Sequence, residues 1–496
     1  MKKFYTLLII LLFITACSDG GNSIVPPVNQ EPTFLPIANP TVEDPPDSGG
    51  ISLLANNFDL AVVGYEVQEY FVAGTASSFT NLSELGADGL WEVEAAEQAD
   101  YKTRIVVHRP TNPADFSGTT VVEWMNVSAG FDTPPSWGAG HVELYRSGHV
   151  WVGVSAQLVG IEGQPGGFPL YLKAANPARY ESLNHPGDSF SYDMFSQISE
   201  LLRNPQAIDP LNGLIPEYVM AMGESQSAFR LTTYINAVQP LYNPYDGYIV
   251  HSRGDSGAPL SQAPQASIAV ANGTHIRTDI NVPVITFQTE TDIFVLGYIE
   301  ARQEDNDHFR LWEVPGTSHA DLYTIISGRD DAIGEPKFAA VAEVDSIPGF
   351  LSCELPFNAG PMHYVYNTAI RGLDQWMRTG VAPASAPRLD VSDDQTSFLL
   401  DELGNVTGGI RTSYVDAASA ILSGEGQIGA GFCGLFGTTE LFSAAQMASL
   451  YVDADGFTAA VSATANSAVE AGFLLPEDAA AIITWAPQQW AQQSND

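Results

Sequence analysis

Positive charge is what this chain has least of. Twenty Lys and Arg stand against 58 Asp and Glu, giving a formal charge of −38. Such a surface repels phosphate backbones and anionic lipid headgroups, which argues against a nucleic-acid partner. Cysteine is almost absent, with three in 496 residues and none at zinc-finger spacing. No glycine-rich phosphate loop and no internal repeat is visible. The N-terminal apolar run, FYTLLIILLF, is too short to span a bilayer. Asp453-Ala454-Asp455-Gly456 opens like a calcium loop but has Thr464 where the bidentate Glu belongs, so it reads as a turn between helices.

What is present is apolar substance, 45% of residues with 10% aromatic, enough for a large core. The strand-like segments LAVVGYEVQEYFVAG and YKTRIVVHRP predict an antiparallel edge. After them come TTVVEWMNV, HVWVGVSAQ, EYVMAM, YDGYIVHS, PVITFQTE and FRLWEVPG, continuous apolar strands separated by helical or irregular stretches. That alternation predicts an α/β fold, a mostly parallel sheet with helices on both faces. Ligands in such folds bind beyond the carboxyl ends of the strands.

One junction organises the rest. Tyr218 to Met222 reads as a buried strand that runs into a helix through Gly223-Glu224-Ser225-Gln226-Ser227. A strand that becomes a helix within one residue strains that residue and leaves its side chain proud of the sheet. This makes Ser225 the candidate nucleophile and the backbone N–H of Gln226 an oxyanion donor at a helix N-terminus. The final Ser227 replaces the usual Gly of G-x-S-x-G, and an N-cap serine in an ordinary turn is the alternative. Two later strand ends supply partners: Thr289-Glu290-Thr291-Asp292, then Thr317-Ser318-His319. Nucleophile, acid, histidine is a chain order that can activate a serine, with imidazole taking its proton and a carboxylate fixing the tautomer. Asp292, nine residues after Pro283, is the favoured acid and Glu290 the alternative. His185 and His251 lie where either could be a substrate contact or a displaced base, but each reads first as a structural histidine bonded to a carbonyl.

The segments VVEWMNVSAG, HPGDSFSYDMFSQ, AMGESQSAFRLTTYINA, YDGYIVHSRG, PGTSHADLY and HYVYNTAIRGLDQWMRTGVAP resemble the α/β-hydrolase superfamily. More narrowly, the likeness is to a little-characterised bacterial group of secreted members. It runs from about Tyr65 onwards and implies a serine hydrolase cleaving carboxylic esters without a cofactor or metal. A small-molecule or polymeric ester is then the expected substrate. A peptidase or amidase with the same triad, or a non-catalytic relative that binds a ligand or partner at the cell surface, are the alternatives. The superfamily also places a second oxyanion donor after the third strand, which here selects Val127. Trp124, Phe131 and Trp137 beside that loop are pocket candidates or core.

Met1-Lys2-Lys3, the apolar run and Ile14-Thr15-Ala16-Cys17 resemble a bacterial lipoprotein signal peptide. This implies removal of the signal and a lipid on Cys17, holding the protein to the cell envelope by that anchor alone, at the outer membrane. A plain secretory signal is the alternative. Residues 18–50 read as a flexible linker and 51–496 as the hydrolase domain, with its core to about 385 and a helical appendage over 386–496. An amphipathic helix is expected over 361–379. In an exported chain the remaining Cys353 and Cys433 are expected to bond, as a staple for the appendage more than for the chemistry.

Overall fold

The computed structural model describes residues 34–165, 167–349 and 351–494. Cys17, the signal-like segment and the first half of the expected linker lie outside them. The sheet has nine strands, β1 (Thr41–Glu43), β2 (Tyr65–Asn81), β3 (Val93–Pro110), β4 (Thr119–Trp124), β5 (Val150–Val154), β6 (Tyr218–Glu224), β7 (Gly247–His251), β8 (Val284–Thr289) and β9 (Phe309–Val314), in the order β1-β2-β3-β5-β4-β6-β7-β8-β9. The first three strands join antiparallel, β3 pairs antiparallel with β5, and the six strands β4 to β9 form a parallel block. The swap of β4 and β5 is the crossover that lets an antiparallel edge feed parallel strands.

Successive residues of the parallel strands face opposite cores, as the period of two requires. Val121, Met220, Ile249 and Ile285 pack against helices α1 (Pro135–Arg146) and α5 (Met362–Thr379) on one face. Val122, Ala221, Val250 and Val284 pack on the other, against α2 (Ser191–Arg203) and α3 (Gln226–Ala237), and the short α4 (Glu290–Phe294) follows β8. Burial on both faces is why these strands read as unbroken apolar runs. The amphipathic helix expected over 361–379 is α5, ending in a left-handed Gly380.

Three regions differ from the sequence reading. Leu60–Val63 is a short 3-10 turn, and the strand starts only at Tyr65. Residues 34–50 do not trail as a linker. β1 pairs with β2, and Leu35 donates its N–H to the Leu241 carbonyl. The stretch 386–496 has only the short helical turns Ser413–Asp416 and Cys433–Leu435 before its last part, the helices Ala444–Tyr451, Ala454–Glu470 and Pro476–Gln493. Before them the chain forms irregular turns and a small antiparallel pair, Ala420–Ser423 with Thr438–Leu441. Asp453 caps the helix that follows it by accepting from the Gly456 N–H. Among the described residues no helix is long and apolar enough to cross a membrane.

Candidate active site

β6 ends at Glu224 and α3 begins at Gln226, so Ser225 alone makes the turn, with φ 57° and ψ −122°. A side-chain-bearing residue persists at positive φ only when its surroundings over-determine it. Here they do. Ser225 donates its N–H to the His251 carbonyl at 2.9 Å, and Phe229 donates back to the Ser225 carbonyl at 3.1 Å. The Glu224 carbonyl accepts both from Ser227 Oγ at 2.8 Å and from Asn126 Nδ2 at 3.1 Å. Gly223 and Ser227 must be small because helix and strand cross there: a Cβ on Gly223 would stand 3.3 Å from the Ser227 Cβ.

The strand ends bring the other candidates to this elbow. His319 Nε2 lies 2.8 Å from Ser225 Oγ, and its Nδ1 lies 2.7 Å from Asp292 Oδ1. The acid is held in turn, its Oδ2 accepting from the Thr289 N–H at 2.7 Å and from Thr289 Oγ1 at 2.8 Å. Thr291 Oγ1 accepts from the His319 N–H at 3.1 Å and donates to the Gly424 carbonyl at 2.6 Å. Burial pushes the imidazole down, but Glu224 and Asp292 more than offset it and leave His319 raised.

Glu290, the alternative acid, points away from the histidine. Its two carboxylate oxygens accept from the N–H groups of Gly316 at 2.6 Å and Gly424 at 2.7 Å. Burial pushes it up to about 8 although both N–H groups pull it back. Its work is structural, tying the start of the histidine loop to the C-terminal segment. Glu224 is the residue that sequence reasoning passed over. Its Oε1 stands 3.3 Å from His319 Nε2, and the only signal was an acid next to the nucleophile.

The loop after β4 is pinned beside the elbow by the Asn126 amide and by paired bonds between Asn126 and Thr133. Val127 follows, its carbonyl accepting from Gly130. Gln226 is the first residue of α3, so its N–H has no partner inside the helix. Trp124 and Trp137 are core. Trp124 packs on Tyr192 and Phe195 and bonds Gln157, and Trp137 stacks on His141 and bonds the Tyr145 hydroxyl. Phe131 is buried as well. His185 bonds the Ala156 carbonyl as expected. His251 does not: it stacks on Tyr366 with both ring nitrogens unpaired, and burial drives it down to about 3. Among the described residues no group of three or more His, Cys, Asp or Glu could hold a metal ion.

A family model described as an alpha/beta hydrolase domain matches residues 37–484. The chain belongs to that family. The family match, the β4/β5 crossover and the elbow after β6 agree on one architecture, the α/β-hydrolase fold with a mostly parallel sheet and C-terminal helices. No curated protein matches this α/β-hydrolase. Solved structures overlap it in part. The acetyl xylan esterase 1 of Thermoanaerobacterium sp. is 10% identical, with 55% of this chain and 81% of that chain covered and a TM-score of 0.28. The α/β serine hydrolase without a lid from Xanthomonas campestris is 13% identical, covering 49% and 86%, with a TM-score of 0.26. The rice cell wall degrading esterase LipA of Xanthomonas oryzae is 12% identical, covering 42% and 50%, with a TM-score of 0.24.

Proposed function

We propose that this α/β-hydrolase is a serine hydrolase that cleaves carboxylic esters through an acyl-enzyme on Ser225. The observation that carries the reading is the unbroken line from Asp292 Oδ1 through both nitrogens of His319 to Ser225 Oγ, with links of 2.7 and 2.8 Å, assembled from three strand ends. In the proposed cycle Ser225 Oγ attacks the ester carbonyl while His319 Nε2 takes its proton. Asp292 holds the Nδ1–H tautomer and balances the imidazolium. The N–H groups of Gln226 and Val127 bind the oxyanion. The same proton then passes from Nε2 to the departing alcohol oxygen, and a water activated by His319 releases the acid. Apart from the ester and that water, the groups this cycle uses are the side chains of Ser225, His319 and Asp292 and the N–H groups of Gln226 and Val127.

The N-terminal sequence adds a location to the proposal: a lipid on Cys17 anchoring the enzyme at the outer membrane. The Cys353–Cys433 bond supports an oxidising compartment.

The test is to treat the purified protein with a fluorophosphonate, map the adduct, and measure hydrolysis of p-nitrophenyl esters and matching anilides. Labelling at Ser225 with ester turnover is expected, together with a loss of several orders of magnitude in kcat for Ser225→Ala at unchanged circular dichroism. A wild-type protein left unlabelled and inert sinks the enzyme reading in favour of a binding role. Anilides cleaved faster than esters would make it an amidase.

A further inference from the structure

The imidazole of His319 has a carboxylate at each nitrogen, Asp292 at Nδ1 and Glu224 at Nε2. We propose that Glu224 is a positioning residue for catalysis, a second carboxylate that acts through His319 as counter-charge to the imidazolium formed when Ser225 gives up its proton. The inference rests on the reading of Ser225 and His319 as nucleophile and base.

Placement is the first support. Glu224 is the last residue of β6 and pairs in register with His251. Its carbonyl is clamped by Ser227 and Asn126, so its side chain leaves the strand in a fixed direction. That direction ends 3.3 Å from Nε2, the nitrogen that also faces Ser225 Oγ. The carboxylate is buried, at 6% exposure of the residue.

The second support is what Glu224 lacks. Two other glutamates are buried close by, and both are satisfied by N–H donors. Glu123 accepts from Ser136 N, Trp137 N and Trp151 Nε1, and Glu290 accepts from Gly316 and Gly424. Among the described residues the Glu224 carboxylate has one polar partner, His319, and no Lys or Arg within ion-pair distance. A buried carboxylate without donors is costly unless a positive charge forms beside it. The reaction makes that charge for a limited time and at the right atom.

The remaining groups facing this pair add no cation. Asp292 lies on the far side of the imidazole, Glu123 comes from β4, and the Tyr366 hydroxyl comes from α5. The neutral imidazole of His251 comes from β7. Burial, then the repulsion of Asp292, push Glu224 up to about 7 against the pull of His319. Glu224 and His319 each favour the charged form of the other.

The step balances without a proton on Glu224. The Ser225 O–H bond breaks as the Nε2–H bond forms, and the proton later leaves on the alcohol oxygen. In the resting enzyme a neutral imidazole gains little from the carboxylate. In the tetrahedral intermediate the imidazolium gains an ion pair, and an interaction that strengthens only on the way to the intermediate raises kcat.

The experiment is the pH dependence, from pH 4.5 to 9.5, of p-nitrophenyl acetate hydrolysis by the full chain, by Glu224→Gln and by Glu224→Asp. Glu224→Gln is expected to lower kcat about 10- to 100-fold with KM within about twofold. It should also move the acid limb of kcat/KM to lower pH, because His319 loses a carboxylate that raises it. Glu224→Asp, with the charge drawn back, is expected to move the limb the same way by less. An acid limb unmoved in the Gln variant, or a loss confined to KM, overturns the proposal. If the Gln variant fails to fold, an unmoved limb in the Asp variant overturns it. Fluorophosphonate labelling of the wild type separates the two levels. An unlabelled Ser225 defeats the underlying reading, whereas a labelled Ser225 with unmoved limbs defeats only the role of Glu224.

Discussion

Ala320, the residue after His319, donates its N–H to the carbonyl of Leu435 at 2.9 Å. Leu435 lies two residues past Cys433, which is bonded to Cys353. Ser318 Oγ reaches the Phe436 carbonyl at 3.1 Å, and a Cβ on Gly437 would stand 2.7 Å from the Ser318 Cβ. The histidine loop therefore rests on a disulfide-held segment from the last quarter of the chain. Expected from sequence to serve the appendage, that bond sits two residues from a contact of the His319 loop.

The first prediction concerns the bond. Closing a loop with a sequence separation of 80, it stabilises by about 4.5 kcal/mol in the chain-entropy limit. Cys353→Ser with Cys433→Ser should lower Tm and also reduce kcat at temperatures where the double variant is still folded. A double variant with wild-type kcat at 15 °C would mean that the segment holds the loop without its covalent tie.

The second prediction separates the two acids. Asp292→Asn should cost on the order of 10⁴ in kcat by favouring the wrong tautomer of His319. Glu290→Gln turns one acceptor into a donor facing a backbone N–H, so it should cost roughly 1–3 kcal/mol of stability and far less activity. Equal losses of kcat in the two variants, measured with one ester, would undo this assignment.

A third concerns pH. Burial raises Glu123 and Glu290 to about 8 and Glu224 to about 7. A carboxyl whose folded pKa exceeds its unfolded value holds its proton more tightly in the folded protein. Its contribution is fully present below about pH 4.5 and is lost as pH rises through the folded value. Tm should therefore fall between pH 5 and 8.5, and scanning calorimetry at several pH values checks this. The high negative charge pushes the same way but is screened by salt. The slope remaining in 0.5 M NaCl belongs to the buried groups, and Glu290→Gln should reduce it.

The fourth concerns the elbow. Asn126→Ala removes a bond to the Glu224 carbonyl and frees the loop that carries Val127. It should lower kcat by about 10- to 100-fold through a misplaced oxyanion donor, with KM for small esters nearly unchanged. A rise in KM alone would place Asn126 in substrate binding instead.

The parallel block was legible in the sequence because strands buried on both faces are written as continuous apolar runs. The three strand ends were legible because each motif lies within a few residues of its strand. Choosing between Glu290 and Asp292 needed geometry, since the partner that claims Glu290, Gly424, lies 134 residues away and no local pattern announces it. Residues 34–50 read as a linker because they are rich in Pro, Asp and Gly, yet pairing with β2 and bonds from Asn176 and Arg179 to the carbonyls of Ser48, Pro46 and Gly49 tie the stretch to the body. Glu224 was visible as a letter, but its direction is set by clamps from Asn126 and Ser227 on the carbonyl behind it.

The dependence of the histidine loop on Gly424 and Leu435 orders events during synthesis. A ribosome that has reached Gly380 has made Ser225, Asp292, His319 and every strand of the parallel block. It has not yet made Leu435, which accepts from Ala320, or Gly424, which accepts from Thr291 and joins Gly316 in donating to Glu290. Until those emerge, the loop of His319 has its bonds to Thr291, Asp292 and Ser225 but not those that tie it to the C-terminal segment. The loop that carries His319 is therefore completed last, by residues made more than a hundred positions after it.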